Sequence, residues 1–148
     1  MATPTKEISF IKAGVTTEAL NKMSHHTMVT HLGIEFTEIG DQYICATMPV
    51  DHRTHQPLGL LHGGASVTLA ETLGSVAATL CVDHNTQYCV GLEINANHIK
   101  SIKEGKVLGT ARPIHIGKKT QVWDIRITNE QNDLISVSRI TMAVIDKR

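Results

Sequence analysis

The sequence has no excess charge of either sign, because 14 lysine and arginine residues balance 14 aspartate and glutamate residues. It also lacks a run of basic residues that could follow a phosphate backbone, which argues against nucleic acid as a partner. The three cysteines, Cys45, Cys81 and Cys89, are odd in number and form no CxxC pair. This cysteine usage argues against a disulfide framework and favours a reducing compartment, so we expect a cytoplasmic protein.

Several motifs that would identify an enzyme class are missing. No HExxH is present and the nine histidines are scattered, so no metal site is expected. GxSxG, GxGxxG and P-loop motifs are absent too, which argues against an α/β-hydrolase and against a nucleotide-binding fold. The first ten residues, MATPTKEISF, contain no long apolar run, so no signal peptide is expected.

One segment, Leu58 to Val82, has about the length that spans a bilayer. It contains His62, Glu71 and several glycines, which would make insertion into lipid costly. We therefore expect no membrane span and no membrane partner.

Periodicity predicts an α+β fold. The length of 148 residues suits a single domain over residues 1–148, with residues 1–15 as a loosely ordered N-terminal extension. Apolar residues spaced by three or four predict a short helix within 16–26 and a long helix from Gly63 or Gly64 to about Val82. Apolar and polar residues alternate in a hairpin around Gly40-Asp41 and in four later strands, at 31–40, 42–50, 86–99, 105–116, 120–128 and 134–145. This order predicts an antiparallel β-sheet wrapped around one long central helix.

Gly74 lies in the middle of the long predicted helix. Glycine costs about 1 kcal/mol relative to alanine at such a position. Close approach of another backbone would explain its presence.

Glu71 is the single charged residue of the long predicted helix, and the next one along the chain is Asp83. A buried carboxylate without a partner is costly, so we expect Glu71 to be paired with a cation, hydrated or functional. From periodicity alone, a salt bridge to a neighbouring strand and a catalytic role both remain open.

The tripeptide His62-Gly63-Gly64 stands at the start of the same helix. Free N–H groups and a partial positive charge at a helix start suit an oxyanion, although this pattern is equally compatible with a simple turn into the helix. Gly63 and Glu71 are eight residues apart, or about 12 Å along a helix, so they cannot readily meet at one carbonyl. Two chains with antiparallel helices would bring Glu71 of one near Gly63 of the other and create two equivalent sites.

The block QPLGLLHGGASVTLAETLGSVA, followed by VGLEINANHIKS, PIHIGKKTQVW and SRITMAVI, resembles the hotdog-fold acyl-CoA thioesterases. Within them it is similar to the 4-hydroxybenzoyl-CoA thioesterase type, which carries its carboxylate on the long helix. The resemblance runs from about Thr17 to Ile145 and implies a hotdog fold and hydrolysis of an acyl-CoA. It also implies a homodimer with shared active sites and a further doubling to a homotetramer.

The resemblance also implies a role for individual residues. Glu71 would be the nucleophile or the general base, and the Gly63 N–H would hold the thioester oxygen. Gln56 and His62 would polarise or orient the carbonyl, while Ser75 would position the attacking water or the carboxylate. No cofactor is implied beyond the coenzyme A of the substrate, which would lie along Gly91, His98, Ile99, Lys100, Ser101, His115, Ile116, Gly117, Lys118, Lys119 and Thr120.

Several alternatives remain open at this point. The lysines in these runs could be ordinary solvated turn residues. A hotdog dehydratase or hydratase also binds acyl thioesters, and a hotdog module could bind acyl-CoA without hydrolysing it. The subfamily likeness favours an aromatic acyl group, such as that of 1,4-dihydroxy-2-naphthoyl-CoA in menaquinone biosynthesis, and a broad-specificity medium-chain thioesterase is the alternative.

Overall fold

A computed structural model describes residues 14–148. The expected N-terminal extension, residues 1–15, lies outside the described residues except for Gly14 and Val15, and Val15 packs against the core. Three helices and six strands follow in chain order: α1 Thr17–Met23, α2 Met28–His31, β1 Glu35–Ile39, β2 Ile44–Pro49, α3 Gly63–Leu80, β3 Gln87–His98, β4 Lys106–Ile116, β5 Thr120–Asn129 and β6 Leu134–Asp146.

All six strands form one antiparallel sheet in the order β1-β2-β4-β5-β6-β3. The strand that follows α3 in the chain is β3. Within residues 14–148 it pairs only with β6 and so forms one edge of the described sheet. A bulge between Gly91 and Glu93 interrupts this pairing. The predicted α+β architecture, an antiparallel sheet around one long helix, is confirmed.

The core lies between α3 and the inner face of the sheet. Leu69, Leu73 and Ala77 lie on one face of α3 and are completely buried. The sheet contributes residues that are also completely buried, among them Ile44, Met48, Trp123, Ile125 and Ile140. Burial of this apolar surface, at roughly 25 cal/mol per Å², holds the helix on the sheet.

The N-terminal helical region differs from the prediction of one short helix. The helix α1 ends at Met23, and a separate turn, α2, begins at Met28. His26 adopts a positive φ of 61°, which interrupts the helical path. Thr27 then caps the second helix, because its hydroxyl accepts the Val29 N–H at 3.2 Å.

Gly74 faces the sheet at a place where no side chain fits. A Cβ atom added to Gly74 would lie 2.4 Å from Cγ2 of Ile140. The close approach predicted at Gly74 is therefore real, but the neighbour is a side chain of β6 and not a second backbone. A Cβ on Gly109 of β4 would likewise lie 2.5 Å from Leu73, so glycines on both layers let the helix approach the sheet.

We expect Gly74→Ala to destabilise the protein, even though alanine is the better helix former. Overpacking should cost about 2–3 kcal/mol, the upper part of the usual range, because the added Cβ would lie only 2.4 Å from Ile140. This cost exceeds the gain of about 1 kcal/mol in helix propensity. Urea unfolding at fixed protein concentration measures the change. In an Ile140→Ala background the same substitution should become neutral or stabilising. An unchanged or higher unfolding free energy for Gly74→Ala alone would contradict this packing account.

Candidate active site

The start of α3 leaves one backbone donor free. His62 is the N-cap residue, and its Nδ1 atom accepts the Gly64 N–H at 2.8 Å. The next amides, of Ala65 and Ser66, donate to the His62 carbonyl. The Gly63 N–H has no acceptor among residues 14–148. Because it stands at the positive end of an 18-residue helix, this N–H suits a developing negative charge.

His98 packs directly against Gly63. A Cβ atom on Gly63 would lie 2.7 Å from Nε2 of the His98 imidazole, so only glycine fits at position 63 with this ring in place. His98 comes from the end of β3, where it pairs with Ser136 of β6. The contact brings together two residues predicted for different roles, the oxyanion donor and the first residue of a coenzyme A run.

Gln56 lies in the loop before α3 with its side-chain amide half satisfied. Its Oε1 atom accepts the Leu58 N–H, and its backbone N–H donates to the Leu60 carbonyl at 2.8 Å. The side-chain NH2 group has no partner within the described part of the chain. Gln56 is therefore oriented to donate a hydrogen bond, which is what polarising a thioester carbonyl requires.

A cavity of about 350 Å³ opens beside these groups. It is a semi-open pocket with apolar walls and a few convergent polar groups, which is typical of small-molecule sites. The sequence motifs did not identify Ser66 and Ile135 as part of it. Ser66 follows Gly63 at helical spacing, a signal that could have been used, whereas Ile135 belongs to β6 and gives no local signal. The cavity is lined by Gln56, Leu60, Leu61, Gly63, Ser66, His98, Ile99, Lys100, Ser101, Ile102 and Ile135.

Glu71 lies outside this cavity, two turns further along α3. Its side chain is exposed in the single chain, so the expected burial of the carboxylate is not found there. No cation lies within ion-pair distance of Glu71 in residues 14–148, which removes the salt-bridge alternative within one chain. Its Oε1 atom would be 3.4 Å from a Cβ atom on Gly91, an ordinary contact distance, so the carboxylate lies beside the β3 bulge.

Ser75 and Met142 lie next to this carboxylate. Ser75 follows Glu71 by one helical turn, and its hydroxyl lies 3.9 Å from the sulfur of Met142. The same sulfur would be 4.0 Å from a Cβ atom on Gly91. A thioether is a weak acceptor, so the Ser75 hydroxyl is readily available to a water molecule or a substrate.

The predicted site residues thus fall into two half-sites. We call Gln56, His62, Gly63 and His98 the amide half-site, and Glu71, Ser75 and Gly91 the carboxylate half-site. The cavity contains no member of the carboxylate half-site. Within one chain the Gly63 N–H and the Glu71 carboxylate therefore stay apart. Their helical spacing predicts this separation.

The two predicted coenzyme A runs are separated in the same way. His98 pairs with Ser136 of β6, whereas Thr120, at the β4–β5 turn, pairs with Ala143. Seven residues of strand separate these two β6 positions, or about 23 Å. The run 98–101 lies at the amide half-site, and the run 115–120 lies at the Gly91 end of the sheet, so one chain cannot place both on one nucleotide.

Two lysines of these runs, Lys100 and Lys119, form ion pairs. Lys100 Nζ lies 2.6 Å from Asp133 Oδ2, and Lys119 Nζ lies 2.7 Å from Asp146 Oδ2. Lys118 is exposed. Lys100 and Lys119 therefore have carboxylate partners, but all four paired side chains are largely exposed, so the alternative of solvated turn lysines stays open.

The thiols are not suited to act as nucleophiles. Burial raises the pKa of Cys81 to about 12, with a smaller contribution from Cys89, and burial also raises the pKa of the Cys45 and Cys89 thiols. Thiolate is therefore scarce at neutral pH. No group of three or more metal-ligating side chains occurs in residues 14–148, and none of their helices is long and apolar enough to cross a bilayer.

A sequence model of the thioesterase superfamily matches residues 58–136, which is more than half of the chain. This chain belongs to the thioesterase superfamily. The matched region runs from the loop after Gln56 through α3, β3, β4 and β5 to the start of β6, and it leaves out β1 and β2.

Similar proteins and solved structures agree with this assignment. The 1,4-dihydroxy-2-naphthoyl-CoA hydrolase of Escherichia coli is 54% identical over 134 residues, covering 90% of this chain and 98% of the relative. The proofreading thioesterase EntH of Cronobacter turicensis is 51% identical over 134 residues, covering 90% and 97%. A thioesterase structure from Haemophilus influenzae matches with a TM-score of 0.87 and 52% identity, covering 89% of this chain and 92% of that chain. The chain is therefore a thioester hydrolase with the hotdog fold.

The geometry of Gln56 leads to a specific prediction. Gln56→Glu keeps the oxygen that accepts the Leu58 N–H but removes the NH2 donor. We expect kcat/KM for thioester hydrolysis to fall by about 100-fold or more with the fold intact, because the carbonyl loses a donor and the new carboxylate repels the developing negative charge. Steady-state thiol release measures this change, and Gln42→Glu, in the exposed β1–β2 turn, is the matched control. Wild-type kcat/KM for Gln56→Glu would show that the amide does not contact the carbonyl.

Proposed function

We propose that this thioesterase hydrolyses an aromatic acyl-CoA to the free acid and coenzyme A, at sites that two copies of the chain build together. The observation that carries the proposal is the pair of half-sites on α3. The Gly63 N–H faces a cavity, and the exposed Glu71 carboxylate lies two turns away; neither group has a partner among the described residues. The amide half-site has hydrogen-bond donors for the carbonyl oxygen but no carboxylate, and the carboxylate half-site has the nucleophile or base but no such donors.

The amide half-site would receive the thioester carbonyl. The Gly63 N–H and the Gln56 side-chain amide donate to the oxygen, which gains negative charge as the carbon becomes tetrahedral. His62 holds the neighbouring Gly64 N–H, so the first turn of α3 keeps the geometry that aims the Gly63 donor. Hydrogen bonds of the helix start and the preceding loop already hold these two donors in place. The donors therefore need little reorganisation when charge develops on the carbonyl oxygen.

Glu71 of the second copy would supply the attack. In one route its carboxylate oxygen bonds to the carbonyl carbon, the carbon–sulfur bond breaks, the thiolate takes up a proton, and water hydrolyses the resulting anhydride. In the other, Glu71 takes a proton from water as the water oxygen attacks. Ser75, one turn beyond Glu71, positions the water or the carboxylate in both routes. The two routes share the same donors and the same carboxylate.

The edge strand β3 provides the surface for pairing two copies. Its outer edge has no partner strand in the described part of the chain, and Tyr88, Val90 and Leu92 expose 45%, 40% and 61% of their surface. An exposed, apolar edge strand favours pairing with another strand. Antiparallel β3 pairing about a two-fold axis would bring the amide half-site of one copy to the carboxylate half-site of the other. It would also bring the run 98–101 of one copy towards the run 115–120 of the other, so that both could contact one coenzyme A. A homotetramer and a cytoplasmic location stay predictions.

An aromatic acyl group is the substrate class we favour. The Escherichia coli relative is named a hydrolase of 1,4-dihydroxy-2-naphthoyl-CoA, and it shares 54% of its aligned residues with this chain. A role in menaquinone biosynthesis follows if that thioester is preferred. The alternative is a broad-specificity enzyme for medium-chain acyl-CoA, because small changes in an acyl pocket alter discrimination by only about 1–3 kcal/mol.

Glu71→Gln tests the proposal together with a substrate panel. We expect turnover to fall by about 10³-fold or more, because the amide can neither attack nor accept a proton. Steady-state thiol release is measured with 1,4-dihydroxy-2-naphthoyl-CoA, benzoyl-CoA and a medium-chain acyl-CoA. Glu18→Gln, an exposed glutamate in the first turn of α1, is the control and should behave as wild type.

Retention of near-normal turnover by Glu71→Gln would end the assignment of the carboxylate. A preference for the naphthoyl thioester would support the menaquinone role. A preference for the medium-chain substrate would instead favour the broad-specificity alternative.

A further inference from the structure

The ion pair between Lys100 and Asp133 stands at the cavity of the amide half-site. Lys100 lines this cavity together with Gly63 and His98. Its Nζ atom lies 2.6 Å from Asp133 Oδ2, and the two side chains keep 54% and 43% of their surface exposed. The lysine that is best placed to meet a phosphate beside the cavity therefore already has an anionic partner from the same chain.

The β5–β6 turn fixes the carboxylate of Asp133 in place. Asn129 donates its side-chain N–H to Asp133 Oδ2 at 3.1 Å and accepts the Asp133 N–H at 2.8 Å. The backbone closes the same turn, because the Asn129 N–H donates to the Asp133 carbonyl at 3.0 Å. Asn132 takes the positive φ of 66° that this turn requires. The Asp133 carboxylate is thus fixed by the turn, whereas the Lys100 ammonium group lies at the end of a flexible four-carbon chain.

Asp133 is ionised under the conditions in which such an enzyme works. Hydrogen bonds from Lys100 and Asn129 lower the pKa of its carboxyl below the usual range. A phosphate that approaches Lys100 must therefore displace a charged carboxylate, and that carboxylate then remains nearby and repels it.

We propose that Asp133 is a positioning residue that holds Lys100 and competes with the phosphates of coenzyme A for it. The inference rests on the proposed function, since it concerns how an acyl-CoA reaches the same cavity. The competition weakens binding of the nucleotide end, so the acyl and pantetheine parts of the substrate must supply most of the affinity. It also weakens retention of free coenzyme A, the product that has lost the acyl group.

The size of the effect follows from the exposure of the pair. Exposed ion pairs are weak and screened by salt, so a phosphate can displace the carboxylate. Asp133→Asn removes the competing charge but keeps a side chain of the same shape in the turn. We expect the Kd of coenzyme A and the KM of benzoyl-CoA to fall by about threefold to fivefold, with kcat unchanged, and the gain to shrink at high salt.

The experiment uses the full chain and three comparisons. Isothermal titration calorimetry gives the Kd of coenzyme A and of pantetheine, which lacks phosphate, and thiol release gives kcat and KM for benzoyl-CoA. Asp124→Asn changes the net charge equally at a partly exposed carboxylate ion-paired with Arg126, and it is the matched control. A double-mutant cycle adds Lys100→Gln, in whose background Asp133→Asn should have no effect.

The outcomes separate this proposal from the proposed function. Tighter coenzyme A binding that is specific to Asp133→Asn, absent with pantetheine and abolished by Lys100→Gln supports the competition. An unchanged Kd, an equal gain from Asp124→Asn, or a gain that persists without Lys100 would overturn it. If the wild type hydrolysed none of the thioesters, the proposed function would be wrong. The competition at Lys100 would still be tested, because the Kd of coenzyme A is measured without turnover.

Discussion

Eight residues of α-helix separate Gly63 from Glu71, and the roles of the other site residues depend on this spacing. At 1.5 Å per residue the two positions are about 12 Å apart, too far to act on one carbonyl carbon. The structure shows both ends of this separation. Gln56, Gly63 and His98 line the cavity, while Glu71 lies near Gly91 at the bulge of β3, whose outer edge has no partner within residues 14–148. A second chain across that edge is the simplest way to join the two half-sites, and it gives the apolar residues of β3 a partner.

The secondary structure was largely predictable because it depends on local patterns. Alternation along VWDIRIT and LISVSRITMAVI predicts two strands, and β5 and β6 follow these segments closely. The long helix begins at Gly63, where His-Gly-Gly predicts a start. The order of strands was not predictable in the same way. The strand β3 follows α3 in the chain but pairs with β6, which is the last strand, and no local pattern encodes a contact across that distance.

The candidate site was also predictable where it depends on local sequence and not where it depends on contacts between distant residues. The cap at His62 and the free amide of Gly63 follow from a tripeptide and elementary helix geometry. The packing of His98 on Gly63 and the pairing of Lys100 with Asp133 join residues that are more than 30 positions apart. Sequence alone therefore suggested lysines that were either free for phosphate or simply solvated, whereas folding gives two of them carboxylate partners. These partners change what the lysines can do, since a phosphate must now compete for them.

The most direct test of a shared site is a hybrid dimer. One chain of the dimer carries Glu71→Gln and the other carries Gln56→Glu. A different affinity tag on each chain allows the mixed dimer to be isolated for thiol-release assays. In a shared site, the intact amide half-site of the first chain meets the intact carboxylate of the second, while the other site carries both changes. The account predicts about half of the wild-type activity per dimer. Activity no higher than the mean of the two parent variants would contradict the shared site. That result is expected if each site uses Gln56 and Glu71 of the same chain, because every site of the hybrid would then carry one of the two changes.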